Sequence, residues 1–550
     1  MTPLQHIQTK LETALKALGF DTSDPQLLAL ETPKQDNFGD VASTAAMALA
    51  KVAKKNPRHI AQDIVEQFEI DPFYIDNIEI AGPGFINFYL STTCLQQSVR
   101  DILEQGETFG TSNVGEGKRI QLEFVSANPT GPLNIVSARA ASVGDVLTHL
   151  FNASGYHAES EFYVNDAGRQ IDLLGASLAA RYLSELGHDT PVPEDGYHGH
   201  YLIEFAHTIV QEEGEAYLDL PEEERNRQFS QKALEYMLNW HRRSMDRFRV
   251  EYHHWFRESE LRDVEAHLNI LETLKANGYT YEQEEAIWFK SSEFGDEKDR
   301  VLVTSDGRPT YFLVDIAYHE NKFSRGFDTL IDFWGPDHHG YIPRMSAALQ
   351  ALGHPREKFQ VSIIQQVNLL RNGQPVKMSK RAGEIIEMDE LVDEVGVDVA
   401  RYFFVDRRIS QPMDFDIEVA KQQSDDNPSY YVQYAHARIS SVLRHAKEQG
   451  FDLDTLDDIT ALTETEALAL VKKMLDFPDL IARAAEALEP HRLTGYLTEL
   501  ATLYHKFYHE LKIVSENRQV SESRLLLCMA VRQVLANGLA LLGITAPTRM

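Results

Sequence analysis

The segment PVKMSKRAGE, residues 375–384, gathers Lys377, Lys380 and Arg381 within five positions, beside the small residues Ser379 and Gly383. A loop of that composition can clamp a polyphosphate and neutralise the charge that develops on departing pyrophosphate. The competing reading is a solvated basic turn, the ordinary fate of a charge run. His338 and His339 are adjacent and point apart, and no second set of ligands stands at zinc spacing, so no metal site is expected. Two cysteines, Cys94 and Cys528, exclude a disulfide framework and a zinc site built on several cysteines.

Such a loop needs a rigid sheet behind it. RIQLEFV (119–125) alternates apolar and polar residues as a strand should, and NPTGP (128–132) breaks it. Val143, Val146, Leu147, Leu150 and Phe151 then form a helical stripe that stops before Gly155. EFYVND (161–166) reads as a second strand, followed by a helix from about 167 to 186. A strand, glycine loop, helix and strand in this order make a βαβ unit, the opening of a nucleotide-binding sheet. Further strand signals are VLVTS (301–305), TLIDFWG (329–335) and FQVSIIQQV (359–367), the last leading through the turn RNGQ into the basic segment. Residues 188–300 are charged and read as a mostly helical insertion. From about 385 to the end the pattern is helical. The first 115 residues read as α+β, with strands on both sides of Gly82-Pro83-Gly84 and an alanine-rich helix within 36–55. The spacing therefore predicts domains at 1–115, 116–420 and 421–550. The expected fold class is multidomain: an α/β Rossmann-type core with a helical insertion, an α+β N-terminal domain and an all-α C-terminal bundle.

The chain has 550 residues, 84 of them acidic and 53 basic, for a formal net charge of −31. Its 43% hydrophobic content excludes bulk disorder. The acidity opposes indiscriminate nucleic-acid binding, although the charge is uneven. Residues 188–300 hold 26 acidic and 13 basic side chains, whereas 421–550 hold 17 and 14. A polyanion meets least resistance at the C-terminal segment. No apolar run reaches membrane-spanning length and the N-terminus lacks a secretory pattern, so a cytoplasmic protein with no membrane partner is expected.

The tetrapeptide from Lys377 to Lys380 is a signature of class I aminoacyl-tRNA synthetases. EFVSANPTGPLNIVSARAASVGD (123–145), YVNDAGRQ (163–170), TYFLVDIAYHENKF (310–323), WGPDHHGYIPRM (334–345), NPSYYVQYAHARI (427–439) and LGITAPTRM (542–550) together resemble the arginyl-tRNA synthetases. The resemblance spans essentially the whole chain. It implies ligation of L-arginine to tRNA(Arg) through arginyl-adenylate, with ATP as substrate, Mg²⁺ on its phosphates and activation that needs bound tRNA. It also implies a tRNA-elbow contact by the N-terminal domain and anticodon binding by the C-terminal one; a monomer is expected.

One departure stands out. Where the family usually has H-x-G-H, this chain has Asn134, Ile135, Val136 and Ser137. Asn134 and Ser137 can still donate to phosphate through amide and hydroxyl; the alternative is that they are mere helix caps. Val136 places a β-branched side chain where the family has none. A tRNA-binding paralogue with impaired ligase activity is the rival reading. By resemblance, Asn134, Ser137, Lys377, Lys380 and Arg381 are the catalytic candidates. Pro132, Asn134, Ser137, Gly335, Asp337, His338, Lys377, Met378, Ser379 and Lys380 are implied for ATP. Glu123, Ser126, Asn128, Tyr311 and Asp315 are implied for arginine, a chemically sensible set because carboxylates pair with guanidinium forks and aromatic faces stack on them. Tyr430, Tyr434 and Arg438 are candidates for tRNA, with Tyr431, Gln433 and His436 beside them; helix-packing tyrosines are the alternative.

Overall fold

The computed structural model describes residues 2–33, 38–263, 265–376 and 386–550. Helix α1 (Pro3–Ala17) opens on a capping box in which Thr2 and Gln5 satisfy each other's backbone N–H groups. Strands β1 (Leu30–Glu31) and β2 (Val41–Ser43), helices α2 (Ala45–Ala53) and α3 (Pro57–Gln67), and strands β3 (Ile75–Ala81) and β4 (Phe85–Leu90) follow. They build an antiparallel sheet of order β1-β2-β4-β3. Helix α4 (Thr92–Gln105) leads out of this unit.

The core begins with β5 (Arg119–Glu123), α5 (Ile135–Ala153), β6 (His157–Val164) and α6 (Arg169–Glu185). Gly144 lets α5 lie directly on β5, because a Cβ there would come within 2.2 Å of the Phe124 ring. Helices α7 (His200–Glu213) and α8 (Glu222–Arg247) form the insertion, followed by β7 (His254–Arg257), α9 (Glu258–Asp263) and α10 (Ala266–Ala276). Strands β8 (Thr280–Gln283), β9 (Ala286–Phe289) and β10 (Arg300–Val303) make a small antiparallel sheet. Then come α11 (Tyr311–Ser324), β11 (Thr329–Trp334), α12 (Ile342–Ala351) and β12 (Phe359–Ile363). The main sheet is wholly parallel, in the order β12-β11-β5-β6-β7. Strand order reverses between β5 and β11, and the crevice beyond their C-terminal ends is where such sheets bind ligands.

Three expectations need correction. The stretch 188–300, expected to be mostly helical, also holds strands: β8 and β9 of the small sheet, and β7, which joins the main sheet as an edge strand of four residues, too short for alternation to show. The expected strand 359–367 divides into β12 and β13 (Val367–Arg371), which lie in different sheets because the chain turns at 364–366 to bond Gln365 N–H to Ile409 O. β13 pairs with β14 (Gln374–Pro375). After α13 (Met388–Val395) and α14 (Val397–Val405), β13 also pairs with β15 (Met413–Asp416), a strand within the region expected to be helical throughout.

The chain ends in α15 (Ile417–Ala420), α16 (Pro428–Glu448), α17 (Thr465–Leu475), α18 (Phe477–Glu486), α19 (His491–Glu510) and α20 (Arg518–Leu541). α20 is long and apolar enough to cross a membrane by composition, but Leu525, Leu527, Val531, Val534 and Leu535 are fully buried in the bundle. One hydrophobic core runs from the N-terminal unit through α5 into this bundle.

Candidate active site

β5 ends in a strained turn. Val125 and Ser126 have φ of +70° and +42°, a region that costs L-residues about 1–3 kcal/mol each. The turn folds Ser126 back so that its Oγ donates to Glu123 Oε1 at 2.8 Å and accepts from the Tyr163 N–H at 3.1 Å. The NPTGP loop then crosses the sheet edge, braced from the insertion. The Tyr201 hydroxyl donates to Thr130 O at 2.5 Å and His241 Nε2 to Gly131 O at 2.8 Å.

Asn134 is the N-cap of α5, its Oδ1 accepting from Val136 N at 2.9 Å and Ser137 N at 3.0 Å. The capping reading thus accounts for its oxygen, while its amide nitrogen has no hydrogen-bond partner among the described residues. A cleft of about 160 Å³ opens beside this helix start, lined by Val125, Asn134, Val136, Ser137, Ala140, Trp334, Gly335 and Ile364. The positive end of the helix dipole favours phosphate there, with the Val136 and Ser137 N–H groups held by the cap. Val136 is 36% exposed and narrows the cleft. Pro132 is partly buried in the preceding loop, and Asp337 and His338 are exposed just past β11, with the His338 ring against Trp334. Lys377, Met378, Ser379, Lys380 and Arg381 lie outside the described residues. The chain beyond them returns to the cleft: Met388 N–H donates to Leu133 O at 2.8 Å, and Glu387 forms a backbone bridge with Asn134.

A second, acidic cup lies under α11. Asp315 Oδ2 accepts from the Tyr341 hydroxyl at 2.6 Å, and burial, reinforced by Glu123 and Glu258, pushes its pKa up to about 6. Glu258 is 3% exposed at the start of α9 and accepts from the Tyr163 hydroxyl. Beneath the cup, Glu161, Glu123 and Asp332 stand side by side on β6, β5 and β11. Lys322 is fully buried and bridges Glu123 and Asp332, with 2.9 Å to Asp332 Oδ1. His319 Nε2 lies 2.8 Å from Asp332 Oδ2, and Arg325 forks onto Glu161 at 2.6 and 3.0 Å. The lower carboxylates are therefore neutralised, whereas no Lys or Arg among the described residues pairs with Asp315. A buried carboxylate in that condition fits an incoming cation.

The structure brings Glu123, Ser126 and Asp315 together. It leaves Asn128 exposed and Tyr311 78% exposed, with neither side chain hydrogen-bonded to Asp315. Sequence reasoning missed Tyr163, Glu258, Tyr341 and the ionic layer of Lys322, His319 and Asp332. Two signals were present: Asp315, His319 and Lys322 form a polar i, i+4, i+7 stripe on one helix face, and Asp332 interrupts an apolar strand. Among the described residues no group of three His, Cys, Asp or Glu is placed to hold a metal ion.

The C-terminal bundle carries a separate groove of about 1030 Å³, whose lining includes Tyr434, Arg438, Arg444, Tyr508, Lys512 and Arg549. Tyr430 and Tyr434 stack at 5.8 Å, and the Arg438 guanidinium lies 4.8 Å from the Tyr434 ring and 4.9 Å from that of Tyr508. Gln433 and His436 are not surface residues: both are buried, and they hold the C-terminal tail at Thr545 O and Pro547 O at 2.9 and 2.8 Å.

A parallel sheet with its crevice at the β5/β11 switch, an α5 start facing a cleft there and a KMSK segment define a class I aminoacyl-tRNA synthetase. Residues 98–411 match the family model described as tRNA synthetases class I (R), catalytic domain. Residues 5–90 match the arginyl tRNA synthetase N terminal domain and 432–550 the DALR anticodon binding domain. An arginine–tRNA ligase of Oceanobacillus iheyensis is 48% identical over 95% of this chain and 94% of its own. Another, from Halalkalibacterium halodurans, is 44% identical over 99% of each chain. The arginyl-tRNA synthetase structure of Thermus thermophilus shares the fold, with a TM-score of 0.78 at 21% identity over 99% of this chain and all of its own. The chain belongs to the arginyl-tRNA synthetase family. Nothing in these likenesses supports the paralogue with impaired activity.

Proposed function

We propose that the chain joins L-arginine to tRNA(Arg) in two steps across these two neighbouring sites. The arginine carboxylate attacks the α-phosphate of ATP, releasing pyrophosphate. The terminal ribose hydroxyl of the tRNA then attacks the arginyl carbonyl, releasing AMP. The substrate supplies its own nucleophile, so the protein contributes position and electrostatics. Asp315, with Glu123 and Glu258 around it, receives the guanidinium, and the exposed Tyr311 and Asn128 close over it. Asn134 directs its amide nitrogen to phosphate while its oxygen caps α5; Ser137 adds a hydroxyl. Gly335 leaves room for adenosine and Asp337 accepts from ribose. Lys377, Lys380 and Arg381 carry the positive charge for the leaving group, with Met378 and Ser379 between them. Mg²⁺ enters with the ATP phosphates as part of the substrate.

Anticodon bases stack in the C-terminal groove on Tyr430, Tyr434 and Arg438. The N-terminal unit offers the tRNA elbow an apolar groove of about 370 Å³ lined by Phe38, Phe85 and Asn87. The observation that carries the reading is the buried Asp315 carboxylate, which no Lys or Arg among the described residues pairs with, beside a helix start whose dipole favours phosphate. Arginine-dependent ATP–pyrophosphate exchange tests it. Exchange with arginine and tRNA(Arg), and none with lysine, is expected; no exchange with or without tRNA would sink it.

A further inference from the structure

Arg139 lies in the second turn of α5 and is fully buried. Its guanidinium meets no carboxylate among the described residues. Nη1 donates to Gln365 O at 2.8 Å, and Nη2 donates to Arg408 O and Gln411 O, both at 3.0 Å. Burial alone pulls its pKa down to about 10. A buried cation without a counter-ion is costly, and a cation near a helix N-terminus opposes the dipole. Methionine would fill the same volume without either cost, so packing does not explain the residue.

The partners do. Gln365 follows Ile364, which lines one wall of the nucleotide cleft, while Val136 and Ala140, three residues before Arg139 and one after it on α5, line the other. Arg408 and Gln411 belong to the loop that leads into β15, the partner of β13. One rigid fork therefore ties the helix wall to the backbone behind the strand wall in three places. A lysine offers a point charge on a flexible stem and cannot reproduce that geometry.

We propose that Arg139 is a positioning residue for ATP, a bolt that fixes the width of the cleft between α5 and Ile364. This rests on reading that cleft as the nucleotide site. Arg139 touches neither substrate; it sets the distance between the walls that do. A displacement of about 1 Å costs on the order of a hundredfold in a tightly positioned reaction, so loosening one wall has a large effect on the nucleotide alone.

The experiment measures ATP and arginine KM by ATP–pyrophosphate exchange in the full chain with tRNA(Arg) present. Arg139→Lys keeps the charge and loses the fork; Arg139→Gln keeps two donors and loses the charge. Both are expected to raise the ATP KM at least about tenfold and to leave the arginine KM within about twofold. Equal rises in both constants, or wild-type behaviour of Arg139→Lys, overturn the bolt. Gly335→Val is the control on the site. Its side chain meets no protein atom within 4 Å of the Cβ position and enters the cleft, so an unchanged ATP KM would show that the cleft does not hold ATP. Should neither Arg139 variant fold, hydrogen exchange on the wild-type chain decides. Saturating ATP should slow exchange at 363–366 and 408–411 together with 135–141. Slowing confined to α5 would overturn the proposal.

Discussion

A carboxylate buried without a cation holds its proton longer than one in water, and Asp315 does so up to about pH 6. Because its folded pKa is raised, ionising it destabilises the free protein as pH climbs from about 4 through 6, and a guanidinium bound there reverses that loss. The groups facing it are Tyr341, His319, Glu123, Glu258 and Tyr163. Only its ionised form suits arginine, so the arginine KM should rise by up to about tenfold per pH unit below 6 while the ATP KM stays level. Tyr341→Phe removes a donor to the ionised form and should move that acid limb to higher pH. A limb unmoved in this variant would mean that the Tyr341 hydrogen bond does not tune the carboxylate. Asp315→Ala removes one partner of a buried ion pair, a loss on the order of 3–5 kcal/mol, and should raise the arginine KM strongly with the ATP KM nearly constant. Equal losses for both substrates would make Asp315 a structural residue.

Helix α5 has an observed cap at its first turn, Asn134, and the proposed phosphate donor is the same residue, so the two roles need separating. Asn134→Ala removes both the cap, about 1 kcal/mol, and the amide donor. Asn134→Thr restores a capping oxygen but no amide. If the donor works on phosphate, both variants should lose about 10²–10³ in single-turnover adenylation, and only the alanine variant should lower the melting temperature. Full adenylation by Asn134→Thr would reduce Asn134 to a cap. The layer under α11 gives a matching test of stability. Lys322→Met leaves Glu123 and Asp332 without their shared cation and should cost on the order of 3–5 kcal/mol, read as a fall in denaturation midpoint. Asp332 is held down to about 2 against the burial that would raise it, by Lys322 first and His319 next. Its contribution is therefore complete above about pH 4 and lost as pH falls toward 2. Much of this was legible from sequence: β5, α5 and β6 announce themselves through alternation and a helical stripe. The ionic layer was not, because Glu123 and Lys322 meet across 199 positions, and no local period records such a pairing. β7 and β15 were invisible for a simpler reason, each having four residues.

At the scale of the whole chain, the bundle is not an independent body. Arg401 is fully buried and joins Asp145 on α5, Phe248 O and Arg249 O after α8, and Leu542 O after α20. Asp398 accepts from Gln433 and Thr545, binding the tail that carries Arg549 to the catalytic core. The N-terminal unit is tied in as well, through Gln96 to Thr460 O and Leu462 O, both at 3.1 Å, and through Asn537 to Gly106 O and Phe109 O, both at 2.9 Å. Residues 421–550 cut from the chain would lose these contacts, so RNA binding must be read in the full protein. A chain with net charge −31 repels tRNA at long range, and affinity must then come from a few placed cations. Each phosphate contact by one cation contributes a slope near −0.7 to −0.9 in log K against log salt. Arg444 and Lys512 line the C-terminal groove without an acidic partner among the described residues. Replacing both with alanine should reduce the magnitude of the salt slope for tRNA(Arg) by about 1–2. ATP and arginine KM measured at saturating tRNA should stay unchanged. Tyr434→Ala, by contrast, removes a stacking plane and should weaken binding by about 1–3 kcal/mol with the slope preserved. An unaltered slope in the Arg444 and Lys512 variant would move the phosphate contacts away from this groove, and unaltered affinity in Tyr434→Ala would leave the stacked tyrosines as helix packing alone.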